Sequence, residues 1–326
     1  MMEKKLIGSL LVIGLLLIWM GSVALGAEKE FPTKAIELYC PFGAGGSTSM
    51  GARIVAGTAA ESLGRPVVVV NKPGGGGSVG ADLVAKAKPD GYTLLVAQAA
   101  SNGIQPAIRK LRYKNTDFEF YGMYAIIPYV MVVKNDAPWK SVEELVAYAK
   151  DHPGELKFCS SGAGASDHFT MELFKSIAGV KIEHLPFQSA GEGLAAILGG
   201  HAHVGILDWR TLKPLVEAGK ARVLAQANEK RLEALSSIPT FAEKGYPEMK
   251  HYTWFAIAAP KGVPKEISEK LRDAFSKAFQ NKEVTETLAK LGFTPYYRSA
   301  ADCTKFAMEE EEKYRRIAKE ANIKVD

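Results

Sequence analysis

The chain has 326 residues, of which 47% are apolar and 24% charged, and a formal net charge of +5. This is globular material long enough for two compact α/β units. Its Lys and Arg are scattered among Glu and Asp rather than gathered into blocks, which argues against a nucleic-acid surface, and no low-complexity stretch argues for disorder.

Lys4 and Lys5 precede an almost wholly apolar run from Leu6 to Met20, and Ala24-Leu25-Gly26-Ala27 offers small residues for a peptidase. That layout predicts a secretory signal peptide over residues 1–26, cut near Gly26 or Ala27. The rival is an uncleaved anchor, since the charge-free stretch approaches the roughly 20 residues that span a bilayer. Lys34 to Pro41 reads as a strand, Thr48 to Leu63 as a helix, and Val67 to Asn71, with four consecutive valines, as a fully buried strand. Ser78 to Lys86 follows as a helix, stopped by the turn Lys88-Pro89-Asp90-Gly91, and Tyr92 to Gln98 as the next strand.

Tyr129 to Lys134 is a further strand, and Ser141 to Lys150 a helix with Ser141 as cap and Glu144 placed to complete a capping box. From Leu156 a second strand and helix series begins. Its helices are expected over His168 to Ala178, Gly191 to Leu198 and Leu212 to Ala218, and its strands over Lys181 to Pro186, Val204 to Leu207 and Arg222 to Ala227. Trp254 to Ala258 returns as a strand, and the tail is helical over Glu266 to Gln280, Glu283 to Leu291 and Ala300 to Ala321. Strands alternating with helices predict an α/β fold of two lobes, each a mainly parallel sheet flanked by helices, with the tail packed on one of them.

One passage is written twice. Cys40-Pro41-Phe42-Gly43-Ala44-Gly45-Gly46-Ser47 and Cys159-Ser160-Ser161-Gly162-Ala163-Gly164-Ala165-Ser166 both run from strand through glycine turn to helix start. The first N–H groups of a helix have no partner inside it and carry partial positive charge, so a glycine-rich approach leaves them open to an anion. Two such ends, one per lobe, can close on a carboxylate from opposite sides, and ligands in open parallel sheets sit beyond the carboxyl ends of strands. The plainer alternative is a pair of ordinary turns in which Gly supplies unusual backbone angles and Ser caps the helix. Cys40 and Cys159, at equivalent places in the two copies, are expected in different lobes as buried thiols with no disulfide between them.

Catalytic motifs fare poorly. Gly75-Gly76-Gly77-Ser78-Val79-Gly80 fits a dinucleotide fingerprint, but no Asp or Glu lies between Gly91 and Asn115 to hold a ribose. Neither glycine passage carries the Lys of a phosphate-binding loop, and Gly45-Gly46-Ser47-Thr48-Ser49 lacks the closing Gly of a nucleophile elbow. His201-Ala202-His203 has no third ligand nearby for a metal. Asp208 and His168 are the only base candidates for an exported enzyme using this cleft, so no catalytic residue, metal or cofactor is expected.

Taken together, Phe31-Pro32, Pro41-Phe42-x-Ala44-Gly45-Gly46-Ser47-Thr48 with Arg53, Val69-Val70-Asn71-Lys72-Pro73-Gly74 and Pro89-Asp90-Gly91-Tyr92-Thr93-Leu94-Leu95 resemble the receptors of tripartite tricarboxylate transporters, also called Bug proteins. The likeness continues through Ser161-Gly162-x-Gly164 with His168, Leu198-Gly199-Gly200, Ala218-Gly219-Lys220, Pro239-Thr240-x-Ala242-Glu243-x-Gly245, Trp254 and Ala259-Pro260. The resemblance implies a periplasmic, monomeric binding protein of the type II Venus-flytrap kind that delivers a small carboxylate to large and small permease subunits. A receptor that docks on a sensor kinase is the alternative. It implies lobes over residues 27–128 with 254–326 and over 129–253, crossed near Ile127 to Val130 and Thr253 to Phe255. The ligand residues are expected to be Phe42, Gly43, Ala44, Gly45, Gly46, Ser47, Thr48, Ser161, Gly162, Ala163, Gly164, Ala165, Ser166, Phe187, Gln188, Ser189 and Asp208. Ser49 stands where the family commonly has Asp, and Phe187-Gln188-Ser189 where it commonly has Tyr-Lys-Gly. Those exchanges suggest a less charged or aromatic-tailed acid walled by Phe42, Phe187 and Trp209.

Overall fold

Strand and helix alternate from Ile36 onward as the apolar periodicity predicts: β1 (Ile36–Cys40), α1 (Ser47–Leu63), β2 (Val67–Asn71), α2 (Ser78–Ala85) and β3 (Thr93–Gln98). The structure is a computed structural model that describes residues 30–320 except 188 and 229, so the expected signal peptide and its cut site lie outside the described residues. β1 runs parallel to β2 on one side and β3 on the other. β2 is the edge of the sheet and only partly covered, with Val68 47% exposed. The valine run reports a preference for extended backbone, not the number of neighbouring strands, and here the expected full burial fails.

A π turn (Ala100–Ile104) and the short α3 (Gln105–Ile108) lead to β4 (Phe118–Lys134), a strand of 17 residues. Only its last third is legible in the sequence. The rest is buried on both faces, so it shows no alternation, and Gly122 and Pro128 read as breaks. Gly122 in fact accommodates a bulge: at φ +133° a Cβ would lie 2.9 Å from Arg298 O.

The second series comprises α4 (Val142–Asp151), β5 (Lys157–Ser160), α5 (Ser166–Ala178), β6 (Glu183–Pro186), α6 (Ala190–Leu198), β7 (Val204–Asp208), α7 (Trp209–Glu217) and β8 (Ala221–Gln226). The chain then returns through β9 (Tyr252–Pro260) to α8 (Lys265–Gln280), α9 (Lys282–Lys290), β10 (Thr294–Arg298) and α10 (Ala300–Glu320). Ser141 caps α4 by accepting from Glu144 N at 3.2 Å, while the Glu144 carboxylate accepts from Lys140 N, one residue beyond the expected capping box. β10 carries Pro295 and pairs with β4 outside the main strand order, where a proline is tolerated.

The strand order is β2-β1-β3-β9-β4-β7-β5-β6. β5 is parallel to β6 and β7, so each end of this sheet is parallel, as the βαβ alternation predicts. The middle is antiparallel. β4 pairs with β9 from Phe118 to Pro128, then with β7 and β8 from Tyr129 onward. One core gathers Leu95, Phe118, Phe120, Trp254 and Phe306 around β3, β4 and β9. Two others gather around the β4, β5 and β7 part of the sheet, one with Met131, Leu145, Phe158 and Phe174, the other with Val130, Cys159, Leu207 and Trp209.

The tail differs from expectation. α10 packs on both lobes, because Phe306 and Ala307 enter the first core while Tyr314 meets Phe169 of α5 edge-on at 5.3 Å. Its apolar residues turn gradually around a 21-residue helix, so its two ends face different partners. All three cysteines are buried and free, and burial pushes the Cys40 thiol up to about 11 and the Cys159 thiol up to about 12. Among the described residues no helix is long and apolar enough to cross a membrane.

Candidate ligand-binding site

Both glycine passages end in the same backbone. Gly46 precedes α1 at φ −71°, ψ 165°, and Ala165 precedes α5 at φ −71°, ψ 166°, and neither helix start has a side-chain cap. Ser47 and Ser166 are therefore the first helical residues rather than caps, while Gly45 and Gly164, at φ +84° and +76°, supply the unusual backbone angles of the turns. The two starts open onto one cavity of about 620 Å³.

Phe42, Gly43, Ala44, Gly45, Gly46, Ser47 and Thr48 all line it, with Ser161, Ala165, Ser166, Ser189 and Asp208 opposite. The first loop is held from behind by Asn71, whose Nδ2 donates to Phe42 O at 2.7 Å. Among the described residues the amides of Gly43 to Gly46 form no backbone hydrogen bond.

The second loop is largely self-satisfied. Asp167 accepts from Ser161 N at 2.7 Å, Ser160 Oγ from Gly162 N at 3.2 Å, and His168 Nδ1 from Gly164 N at 3.1 Å. Those bonds draw the turn inward, so Gly162, Ala163 and Gly164 do not line the cavity as expected; Gly164 O instead accepts from Gln105 Nε2 at 2.7 Å across the cleft. What the second passage presents to the cavity is Ser161 and the start of α5. There the buried Ser166 Oγ sits beside the Tyr129 hydroxyl without a hydrogen bond of normal geometry.

Burial sets the charge states behind this loop. Desolvation holds His168 and His184 down at about 4, and the rings lie 4.1 Å apart. A neutral imidazole keeps the lone pair that Gly164 N needs. Desolvation raises the Asp167 carboxyl to about 6, against the lowering effect of its backbone bonds.

Asp208 lines the cavity with its oxygens already used: it caps α7 by accepting from Thr211 N at 3.0 Å, and it accepts from Ser47 Oγ at 2.9 Å across the cleft. Among the described residues no hydrogen bond or ion pair joins it to His168, whose Nδ1 accepts from Gly164 N. Trp209 lies in a second-lobe core and Phe187 packs against it, so of the three expected aromatic walls only Phe42 lines the cavity. The apolar walls are Phe42 with Tyr129, Phe255 and Leu291. Gln188 lies outside the described residues.

Sequence reasoning missed Gln98, Tyr129, Arg210, Lys213, Thr253 and Lys290, all on the cavity wall. Gln98 was within reach of the strand-end rule, since it closes β3. Its Oε1 accepts from Thr253 Oγ1 at 2.9 Å, joining two residues of the cavity wall. His203 Nδ1 accepts from Lys157 N, and among the described residues no cluster able to hold a metal is found.

Two lobes joined by crossing strands, with two helix starts facing one cleft, define a periplasmic-type solute-binding fold. The chain belongs to the tripartite tricarboxylate transporter family of receptors, whose pattern it matches over residues 51–323. It is 32% identical over 322 residues to Protein BugT of Bordetella pertussis, covering 97% of this chain and 98% of that one. Among solved structures it is similar to an R. palustris protein with adipate, at 32% identity and a TM-score of 0.85 over 90% of this chain and 99% of that one. MatC from Rhodopseudomonas palustris, with bound malate, is 27% identical at a TM-score of 0.83, covering 88% and 99%. Members of this family are solute-binding receptors rather than enzymes.

Proposed function

We propose that the protein is a periplasmic receptor which captures a small carboxylate between its lobes and delivers it to the membrane permease subunits of a tripartite tricarboxylate-type transporter. The observation that carries this reading is the pair of uncapped helix starts, with the orphaned Ser166 hydroxyl, on one cavity. The carboxylate is held by amides of the first loop and of both helix starts, with the hydroxyls of Ser47, Thr48, Ser161 and Ser166 around it. Each charge-assisted bond contributes about 1.5–3 kcal/mol net, and each helix start about 0.3–1 kcal/mol. A handful reaches the roughly 8 kcal/mol of micromolar affinity after ordering costs. The adipate and malate of the two solved neighbours agree with this ligand class.

Lobes over residues 27–128 with 254–326 and over 129–253 close by a hinge where β4 changes partners at Pro128 and Tyr129 and where β9 begins at Tyr252. The test is a thermal-shift panel of mono-, di- and tricarboxylates on the mature protein, followed by calorimetry. Stabilisation by at least one acid is expected, and a panel in which none binds refutes the reading. Copurification with the permease subunits tests the transport partner.

A further inference from the structure

We infer that Arg210 is the residue that makes a second anionic group a requirement of the ligand; this rests on the carboxylate reading above. Arg210 stands in the first turn of α7 and reaches across the cleft to α1. There its Nη2 contacts the Met50 sulfur at 2.9 Å, its Nη1 lies 3.5 Å from Ser47 Oγ, and its buried Nε has no partner. A guanidinium carries five N–H donors in a planar fork that fits a carboxylate two bonds at a time. A thioether and one long hydroxyl contact leave most of that capacity unused.

The surroundings do not supply the missing anion. Asp208 spends its oxygens on Thr211 and Ser47, and among the described residues no carboxylate pairs with Arg210. Lys213 on the same helix and Lys290 at the end of α9, in the other lobe, continue the wall and join no ion pair among the described residues; Glu217 is the one other acid on the lining. The Arg210 backbone packs closely against Gly292 of the other lobe, where a Cβ would lie 3.1 Å from Arg210 Cα. The helix starts, with partial charge, serve one carboxylate. A full cation with an unfilled fork serves another, and a ligand with one charged end leaves that cation desolvated and unpaired on closure.

The experiment is calorimetry of the mature protein, Arg210→Met and Arg210→Lys with matched pairs of equal chain length: succinate and butyrate, glutarate and pentanoate, adipate and hexanoate. For the preferred length the wild type is expected to bind the diacid at least about tenfold tighter than the monoacid. Arg210→Met is expected to bring that ratio close to one, and Arg210→Lys to keep part of it, since the charge stays and the fork is lost. A ratio that survives in Arg210→Met, a fall of both affinities by one factor, or a wild type indifferent to the second carboxylate overturns the inference and leaves the carboxylate reading standing. Failure of every acid on the wild type overturns that reading itself.

Discussion

Replacing Gly46 by valine puts an isopropyl group at the start of α1 without asking the backbone to change. Gly46 has φ −71° and ψ 165°, a region that β-branched residues favour, and a Cβ there meets only Gly43 O, at 3.6 Å. Gly45 and Gly164, at φ +84° and +76°, are poorer sites because a valine there would be strained whatever the ligand does. The stability cost at Gly46 is the loss of a tolerable helix cap, within about 1 kcal/mol. In binding, the side chain covers the amides that start α1. Losing two charge-assisted bonds of about 1.5–3 kcal/mol each and one helix start of about 0.3–1 kcal/mol amounts to about 3–7 kcal/mol. That weakens Kd by about 10²- to 10⁵-fold. Calorimetry with the best acid from the panel reads the affinity, and a ligand-free melt checks the fold. A folded Gly46→Val protein whose Kd stays within about threefold of wild type would falsify the placement of α1 in the site.

Asp208→Ala, which removes the α7 cap, should lower stability by about 0.5–2 kcal/mol, whereas Ser47→Ala leaves that cap and should cost less; denaturant melts of both and of the double variant measure the cross-cleft coupling. Ser141→Ala should cost about 0.5–2 kcal/mol through the α4 cap and leave ligand affinity unchanged, a melt and a titration being the check. Burial holds His168 and His184 near 4 and His251 near 3, below the ordinary 6.5, so between pH 4 and 6.5 the unfolded chain binds protons that the folded one does not, and stability rises with pH. Asp167, raised from 3.8 to about 6, opposes that rise, because the folded state keeps a proton the unfolded state has released. Melting temperature should therefore climb from pH 4 to 6.5, and more steeply in Asp167→Asn; a flat or falling profile contradicts the assigned charge states.

The form of the glycine passages was legible because strand end, permissive turn and helix start occupy consecutive residues, and a repeat exposes them without any tertiary knowledge. Gln98, Thr253 and Arg210 were not, because each is an ordinary residue whose place on the cavity depends on which strands become neighbours. The same gap explains Phe187, an aromatic residue beside a predicted site that turns into the second-lobe core. The elements of the βαβ series emerged within a few residues of their expected bounds, since each buries one face. β4 did not, because a strand covered on both faces loses the alternation by which strands are read.

The facing of the two helix starts follows from strand direction alone. β3 is antiparallel to β9 and β9 to β4, so β1 and β3 run the same way as β4, and β4 runs out of the first lobe into the second. The carboxyl end of β1 therefore points at the second lobe. β7 is antiparallel to β4 and β5 is parallel to β7, so β5 runs back, and its carboxyl end points at the first lobe. A turn that follows either strand must open onto the seam between lobes, and a helix starting there aims its free amides into it. Tyr129, the first β4 residue to pair with β7, and Thr253 and Phe255 of β9 line the same cavity, so the strands that cross between lobes form part of its wall. With α10 packed on both lobes behind them, a ligand held as proposed between the two helix starts would act directly across the proposed hinge.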